Sequence, residues 1–155
     1  MQMYYLAMTF GGNGNYPSNQ IKPGNGSRKN FEIPGNFKIL LVDDDDDFRG
    51  ALFQRLKKKE ISVVAVESGS KALKALKDNG FDLVLLDLVM PDMDGVETFR
   101  RMIEMRNDCF VIIMTAYHDD ERIKIAKKMN PFGFLEKPFE FTQLLIFIDK
   151  RIREI

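Results

Sequence analysis

The chain has 155 residues, 23 Lys and Arg against 23 Asp and Glu, and 45% hydrophobic residues. This charge balance argues against a nucleic-acid-binding surface, which needs a clustered basic excess, and no apolar run reaches the ~18 residues that a membrane helix requires. Cys109 is the single cysteine, so an internal disulfide is excluded. One unpaired cysteine fits a reducing compartment, and we expect a cytoplasmic location.

The first part of the chain differs in composition from the rest. Residues 1–36 hold six of the eleven glycines and three of the six prolines, and no apolar periodicity runs through them. Such segments cannot bury enough apolar surface to fold. We therefore predict a flexible tail over 1–36, of unknown role, and a folded domain over 37–155.

The folded part alternates between two kinds of segment. Short apolar or β-branched runs predict strands at 39–42, 61–66, 81–86, 110–114 and 132–135. Between and after them, apolar residues at helical spacing predict helices over 48–56, 70–76, 96–103, 123–129 and 141–152. Strict βα alternation predicts an α/β fold, a doubly wound parallel sheet with helices on both faces. We expect the flavodoxin-like strand order 2-1-3-4-5, which makes the first and third strands neighbours.

Polar residues stand where these predicted strands end. Asp43 and Asp44 follow the first strand, Asp87 follows the third, Thr115 the fourth and Lys137 the fifth. The carboxyl ends of parallel strands share one edge of a sheet, so these side chains should converge there. Gathered carboxylates need a compensating cation, and Mg²⁺ is the natural one because it prefers oxygen ligands.

The same residues supply what phosphoryl transfer to a carboxylate needs. A carboxylate beside Mg²⁺ can attack a phosphoryl group. A lysine and a hydroxyl can then stabilise the equatorial oxygens of the phosphoryl group during its transfer. Asp87 is the candidate nucleophile, with Lys137 and Thr115 as the cation and the donor. The remaining aspartates of the run, Asp45 to Asp47, are predicted to cap and begin a helix.

Four blocks carry a family resemblance: ILLVDDD (39–45), LLDLVMPDMDG (85–95), IMTA (113–116) and EKPF (136–139). The chain resembles the CheY-like response-regulator receiver family over residues 37–155. The resemblance implies that Asp87 is the phospho-acceptor. It further implies that Asp43, Asp44 and Asp87 hold Mg²⁺ together with the backbone carbonyl of Val89.

The resemblance also implies a switch. Thr115 and Lys137 correspond to the family's switch hydroxyl and lysine, and Phe134 to its aromatic switch residue. Phosphorylation by a histidine kinase or phosphotransfer protein would change the surface of helix four, strand five and helix five, roughly 119–155. A downstream protein or an output domain would read that surface, with a phosphorylation-linked dimer as one outcome. The chain would catalyse only its own Mg²⁺-dependent phosphorylation and dephosphorylation, and contact neither nucleic acid nor membrane directly.

Two positions depart from the family pattern. Val89 and Tyr117 stand where polar residues in family members help to position water, so we expect slow self-dephosphorylation. The lone His118 is expected to be a solvated loop residue.

The acidic residues have three competing interpretations. A calcium-binding EF-hand loop fails in both possible frames, because a loop that starts at Asp43 has Phe48 in place of the required glycine and a loop placed on Gly95 would start at Met90 instead of an aspartate. An aspartyl-phosphate phosphatase would need a second aspartate where Val89 stands. The remaining alternative is a pseudo-receiver, which binds partners without being phosphorylated.

Overall fold

The computed structural model describes residues 32–105, 108–116 and 121–153. In this part of the chain five strands alternate with five helices: β1 (Lys38–Val42), α1 (Asp46–Lys57), β2 (Ser62–Val66), α2 (Gly69–Asp78), β3 (Leu83–Asp87), α3 (Gly95–Glu104), β4 (Phe110–Thr115), α4 (Glu121–Lys128), β5 (Gly133–Glu136) and α5 (Phe141–Arg153). The strands form one parallel sheet in the order β2-β1-β3-β4-β5. The predicted fold class and strand order are therefore confirmed.

Two hydrophobic layers cover the sheet, one on each face. Side chains alternate between the faces along each strand, so neighbouring residues of β3 enter different layers. Leu83 and Leu85 join α1 and α5 in the first cluster, whereas Val84 and Leu86 join α2, α3 and α4 in the second. The central strands β1 and β3 are buried over nearly their whole length, which explains their continuous apolar sequences.

Three predicted strand starts were early by one or two residues. Ile61, Phe81 and Phe132 precede β2, β3 and β5 although all three are apolar. Phe81 packs against the second cluster and Phe132 against the first. A residue can be apolar because it closes the core at the end of a strand, and periodicity does not reveal whether its backbone joins the ladder.

Side-chain caps begin three of the helices. Asp45 accepts from the backbone N–H groups of Asp47 and Phe48 at the start of α1, as predicted for this part of the aspartate run. Ser68 caps α2 and Asp94 caps α3 in the same way. In the described part of the chain, no helix combines the length and apolar character needed to cross a membrane.

Candidate functional site

The polar residues predicted to converge lie along the carboxyl edge of the sheet. Asp43 directly follows β1, Asp87 is the last residue of β3, Thr115 is the last of β4 and Lys137 directly follows β5. Two backbone hydrogen bonds fix this edge: Asp43 N–H donates to the carbonyl of Val66, and Lys137 N–H donates to the carbonyl of Thr115. The parallel register thus sets these four residues at one end of four adjacent strands.

Three carboxylates of this edge meet. Oxygen atoms of Asp43, Asp44 and Asp87 all lie within 4.8 Å of one another. Asp43 and Asp87 are 0% and 6% exposed, whereas Asp44 is exposed to solvent. The set fits Mg²⁺, which binds few carboxylates and keeps several waters, because one side of the cluster is open.

Lys137 supplies the positive charge beside these carboxylates. Its Nζ lies 2.5 Å from Oδ2 of Asp43 and 3.3 Å from Oδ1 of Asp87. The lysine side chain is 14% exposed, so its charge is only partly screened by water. The peptide bond between Lys137 and Pro138 is cis, a conformation that peptide bonds before proline adopt far more often than others.

Asp87 has a perturbed acidity. Burial, opposed by the charge of Lys137 and reinforced by that of Asp43, raises the pKa of Asp87 from 3.8 to about 6. Perturbed carboxyl groups in clefts are typical of functional sites. A carboxylate that is costly to ionise is also a stronger base, which favours bond formation to an electrophilic phosphorus once a cation is near.

Sequence reasoning missed a basic residue beside the acidic loop. Arg49 Nη1 donates to the backbone carbonyl of Asp43 over 2.6 Å, and its Nη2 pairs with Asp46. The side chain of Asp43 in turn accepts from the N–H of Asp45 over 3.0 Å. These contacts fix the turn that carries the acidic residues. The signal available in the sequence was a lone arginine five residues after Asp44.

The loop after β3 approaches the start of α3 very closely. Gly95 N–H donates to the carbonyl of Leu88 over 2.9 Å. A Cβ on Gly95 would stand 2.3 Å from the carbonyl oxygen of Asp87 and 2.6 Å from Cα of Leu88. Only glycine permits this approach. Val89, in the same loop, is half-buried, and its carbonyl as a metal ligand stays a prediction.

Thr115 and Phe134 lie on the same face of the sheet. Phe134 is paired with Ile113 in the register of β4 and β5, so Thr115 is its diagonal neighbour two residues further along β4. Thr115 is 6% exposed, and Phe134 is half-buried against the second cluster. The two residues therefore lie on adjacent strands and face the same side of the sheet, and their role as a switch stays a prediction.

Some predicted features lie outside the described residues. They are the N-terminal tail up to residue 31, Tyr117 and His118, and residues 119–120 and 154–155 of the predicted switch surface. The expectations for them stay predictions.

Comparison with known proteins agrees with this architecture. A model of the response regulator receiver domain matches residues 39–149. The response regulator receiver protein CpdR of Brucella abortus is 33% identical over 122 residues, which cover 74% of this chain and 96% of that protein. Sporulation initiation phosphotransferase F of Bacillus subtilis is 35% identical over 109 residues, which cover 70% of this chain and 88% of that protein.

A solved structure and a longer relative extend the comparison. The receiver domain structure from Clostridium thermocellum gives a TM-score of 0.70 at 27% identity, and the match covers 76% of this chain and 95% of that one. The cyclic di-GMP phosphodiesterase of Thermotoga maritima is 33% identical, but the chain spans only 31% of its length. The matched region, the strand order and the converging carboxylates lead to one conclusion: this chain belongs to the response regulator receiver domain family.

Proposed function

We propose that the chain accepts a phosphoryl group on Asp87 from a phosphohistidine donor and uses it as a signalling switch. The observation that carries this proposal is the position of Asp87 at a buried strand end, with two further carboxylates and the Lys137 ammonium around it. Domains of this family are phospho-acceptor switches in two-component signalling.

The transfer itself requires little of the protein beyond positioning and charge. A carboxylate oxygen of Asp87 forms a bond to phosphorus while the bond from phosphorus to the donor's imidazole nitrogen breaks, and the imidazole keeps that electron pair. Lys137 offsets charge on the phosphoryl oxygens, and Thr115 offers a hydroxyl donor at the same edge. Mg²⁺, held by Asp43, Asp44 and Asp87 with the Val89 carbonyl, would supply further positive charge.

The switch would follow from the packing of β4 and β5. With a phosphoryl group on Asp87, Thr115 would turn towards it, and Phe134 would move inward into the space that Thr115 leaves. Such a packed pair has discrete arrangements that one new charged group can bias. The altered surface would be read by a protein partner or an output domain. We place the receiver domain at 37–155 and its action in the cytoplasm.

The first test is intact-protein mass after incubation with a small phosphodonor and Mg²⁺. We expect one phosphoryl adduct on the unsubstituted chain and none on Asp87→Asn. The control Asp92→Asn, which removes an exposed carboxylate in the loop between β3 and α3, should carry the same adduct as the unsubstituted chain. If the unsubstituted chain acquires no adduct, either from the small donor or from candidate kinases, the pseudo-receiver alternative is favoured.

The aspartate run offers a matched test of the metal site. We expect Mg²⁺ to raise the unfolding temperature of the unsubstituted chain, because a ligand that binds only the folded state stabilises it. Asp44→Asn should weaken Mg²⁺ binding at least about tenfold by removing a charged ligand. Asp47→Asn changes an exposed helical aspartate of the same run and should bind Mg²⁺ nearly normally. Equal binding by the two variants would contradict the site.

A further inference from the structure

The ammonium of Lys137 has a neighbour besides the two carboxylates. Its Nζ lies 4.3 Å from the centroid of the Phe48 ring. The same nitrogen is 2.5 Å from Asp43 Oδ2 and 3.3 Å from Asp87 Oδ1. An ammonium at this distance from a ring centroid is attracted by the negative face of the aromatic system. Lys137 is therefore held by carboxylates and by an aromatic ring.

Phe48 is held in place through both its backbone and its ring. The backbone N–H of Phe48 donates to Oδ1 of Asp45, the residue that caps α1, over 3.0 Å. Its ring meets Phe139 edge to face, with centroids 5.8 Å apart and an interplanar angle of 79°. Phe48 also packs against the first core cluster. The ring is thus an ordered surface on which a flexible lysine can rest.

We propose that Phe48 is a positioning residue for phosphoryl transfer, acting through Lys137. A lysine side chain has several rotatable bonds, and its ammonium must be at the phosphoryl oxygens when charge develops on them. The Phe48 face restricts the ammonium to the neighbourhood of Asp87 without taking up any of its three hydrogen-bond donors. This role rests on the proposed phosphorylation of Asp87.

The cation–π contact predicts a specific kinetic pattern. Phe48→Leu keeps the apolar bulk but removes the ring face, so the maximal rate of phosphorylation by a small phosphodonor should fall about three- to tenfold. The donor concentration at half-maximal rate and the Mg²⁺ affinity should change by less than about twofold, because the ring acts on the lysine alone. Phe48→Tyr keeps the ring face and should retain the rate within about twofold.

The control is Phe53→Leu. Phe53 lies in the same helix, α1, and packs against the same core cluster, so its replacement reports the general cost of losing an α1 aromatic ring. Phe48→Met serves as a second ringless variant if Phe48→Leu does not fold. The rate is measured by intact mass over time on full-length chains whose folding has been verified.

The outcomes separate this role from the function on which it rests. A slow Phe48→Leu or Phe48→Met beside normal Phe48→Tyr and Phe53→Leu variants would support the positioning role. Normal rates in the ringless variants, or an equally slow Phe48→Tyr, would overturn it while Asp87 phosphorylation stands. No phosphorylation of the unsubstituted chain would overturn both.

Discussion

Asp87 combines burial with a charge that folding has to accommodate. The residue is 6% exposed and its carboxylate lies beside those of Asp43 and Asp44, and the nearby Lys137 offsets only part of the cost of burying the charge. Without a bound metal ion, ionised Asp87 therefore destabilises the fold. A cation bound beside Asp87, or a phosphoryl group on its carboxylate, would change the net charge around this buried residue.

The acidity of Asp87 predicts a pH dependence of stability in the absence of metal. Because its pKa is raised from 3.8 to about 6 in the folded state, the protonated group favours folding below the ordinary pKa, and that contribution is lost as the pH rises through about 6. Asp87→Asn stays neutral throughout. At each pH, the effect of the substitution is the unfolding free energy of Asp87→Asn minus that of the unsubstituted chain. We expect this difference to be about 2–3 kcal/mol larger near pH 7 than near pH 4.

Denaturant unfolding in a chelating buffer at several pH values measures this difference. Asp92→Asn, an exposed carboxyl group in the same loop, is the control and should follow the pH profile of the unsubstituted chain. A constant gap between Asp87→Asn and the unsubstituted chain would show that Asp87 has an ordinary acidity in the folded protein.

Residue types at strand ends made much of the site predictable. Asp43, Asp87 and Lys137 each follow or end an apolar run, and the topology brings them together. Phe48 and Arg49 were not assigned to the site, because helical periodicity says which side of a helix is apolar and nothing about which atom the side chain meets. Their contacts, with the Lys137 ammonium and the Asp43 carbonyl, exist only once α1 is docked.

At the scale of elements, the turn between β3 and α3 is set by backbone contact. The N–H of Gly95 donates to the carbonyl of Leu88 and closes the turn. The carbonyl oxygen of Asp87 lies next to the position that a Cβ atom on Gly95 would occupy. The sequence shows that a glycine stands at this turn. It could not predict the close approach to the phospho-acceptor residue, which depends on how α3 packs against the sheet.

Two glycines at helix positions should respond to alanine in opposite directions. Gly95→Ala would force the new methyl group against the Asp87 carbonyl oxygen at 2.3 Å, so we expect a loss of about 1–3 kcal/mol in unfolding free energy and slower phosphorylation. Gly50 is exposed within α1, and nothing lies within 4 Å of the point that its Cβ would occupy. Gly50→Ala should therefore gain about 0.5–1 kcal/mol from helix propensity.

Denaturant unfolding and the mass assay on the same preparations test both glycine variants. Unchanged stability in Gly95→Ala would mean that the β3–α3 turn relaxes easily and that the glycine is not required there. A loss in Gly50→Ala comparable to that in Gly95→Ala would attribute the effect to alanine in general rather than to the close approach.

At the scale of the whole molecule, the βα alternation was enough to predict a parallel sheet with helices on both faces, whereas the strand order was taken from the flavodoxin-like fold. The domain boundary is less sharply defined by composition, because residues 32–36 look like the preceding glycine-rich segment. In the structure, Ile33 packs against the first core cluster, and the carbonyl of Pro34 accepts from the N–H of Phe37. A single apolar residue among turn formers gives no periodicity, so its contribution to the core was not predictable.

Truncated chains can locate the boundary that stability requires. A chain that starts at Glu32 keeps Ile33 and should match the full chain in unfolding free energy and in the rate of Asp87 phosphorylation. A chain that starts at Phe37 loses the half-buried Ile33 and should be about 1 kcal/mol less stable, with its phosphorylation site intact. Ile33→Ala in the full chain should reproduce most of that loss. Equal stability of both truncated chains would place the boundary at residue 37, whereas a large loss on removing 1–31 would show that the first segment contributes to the fold.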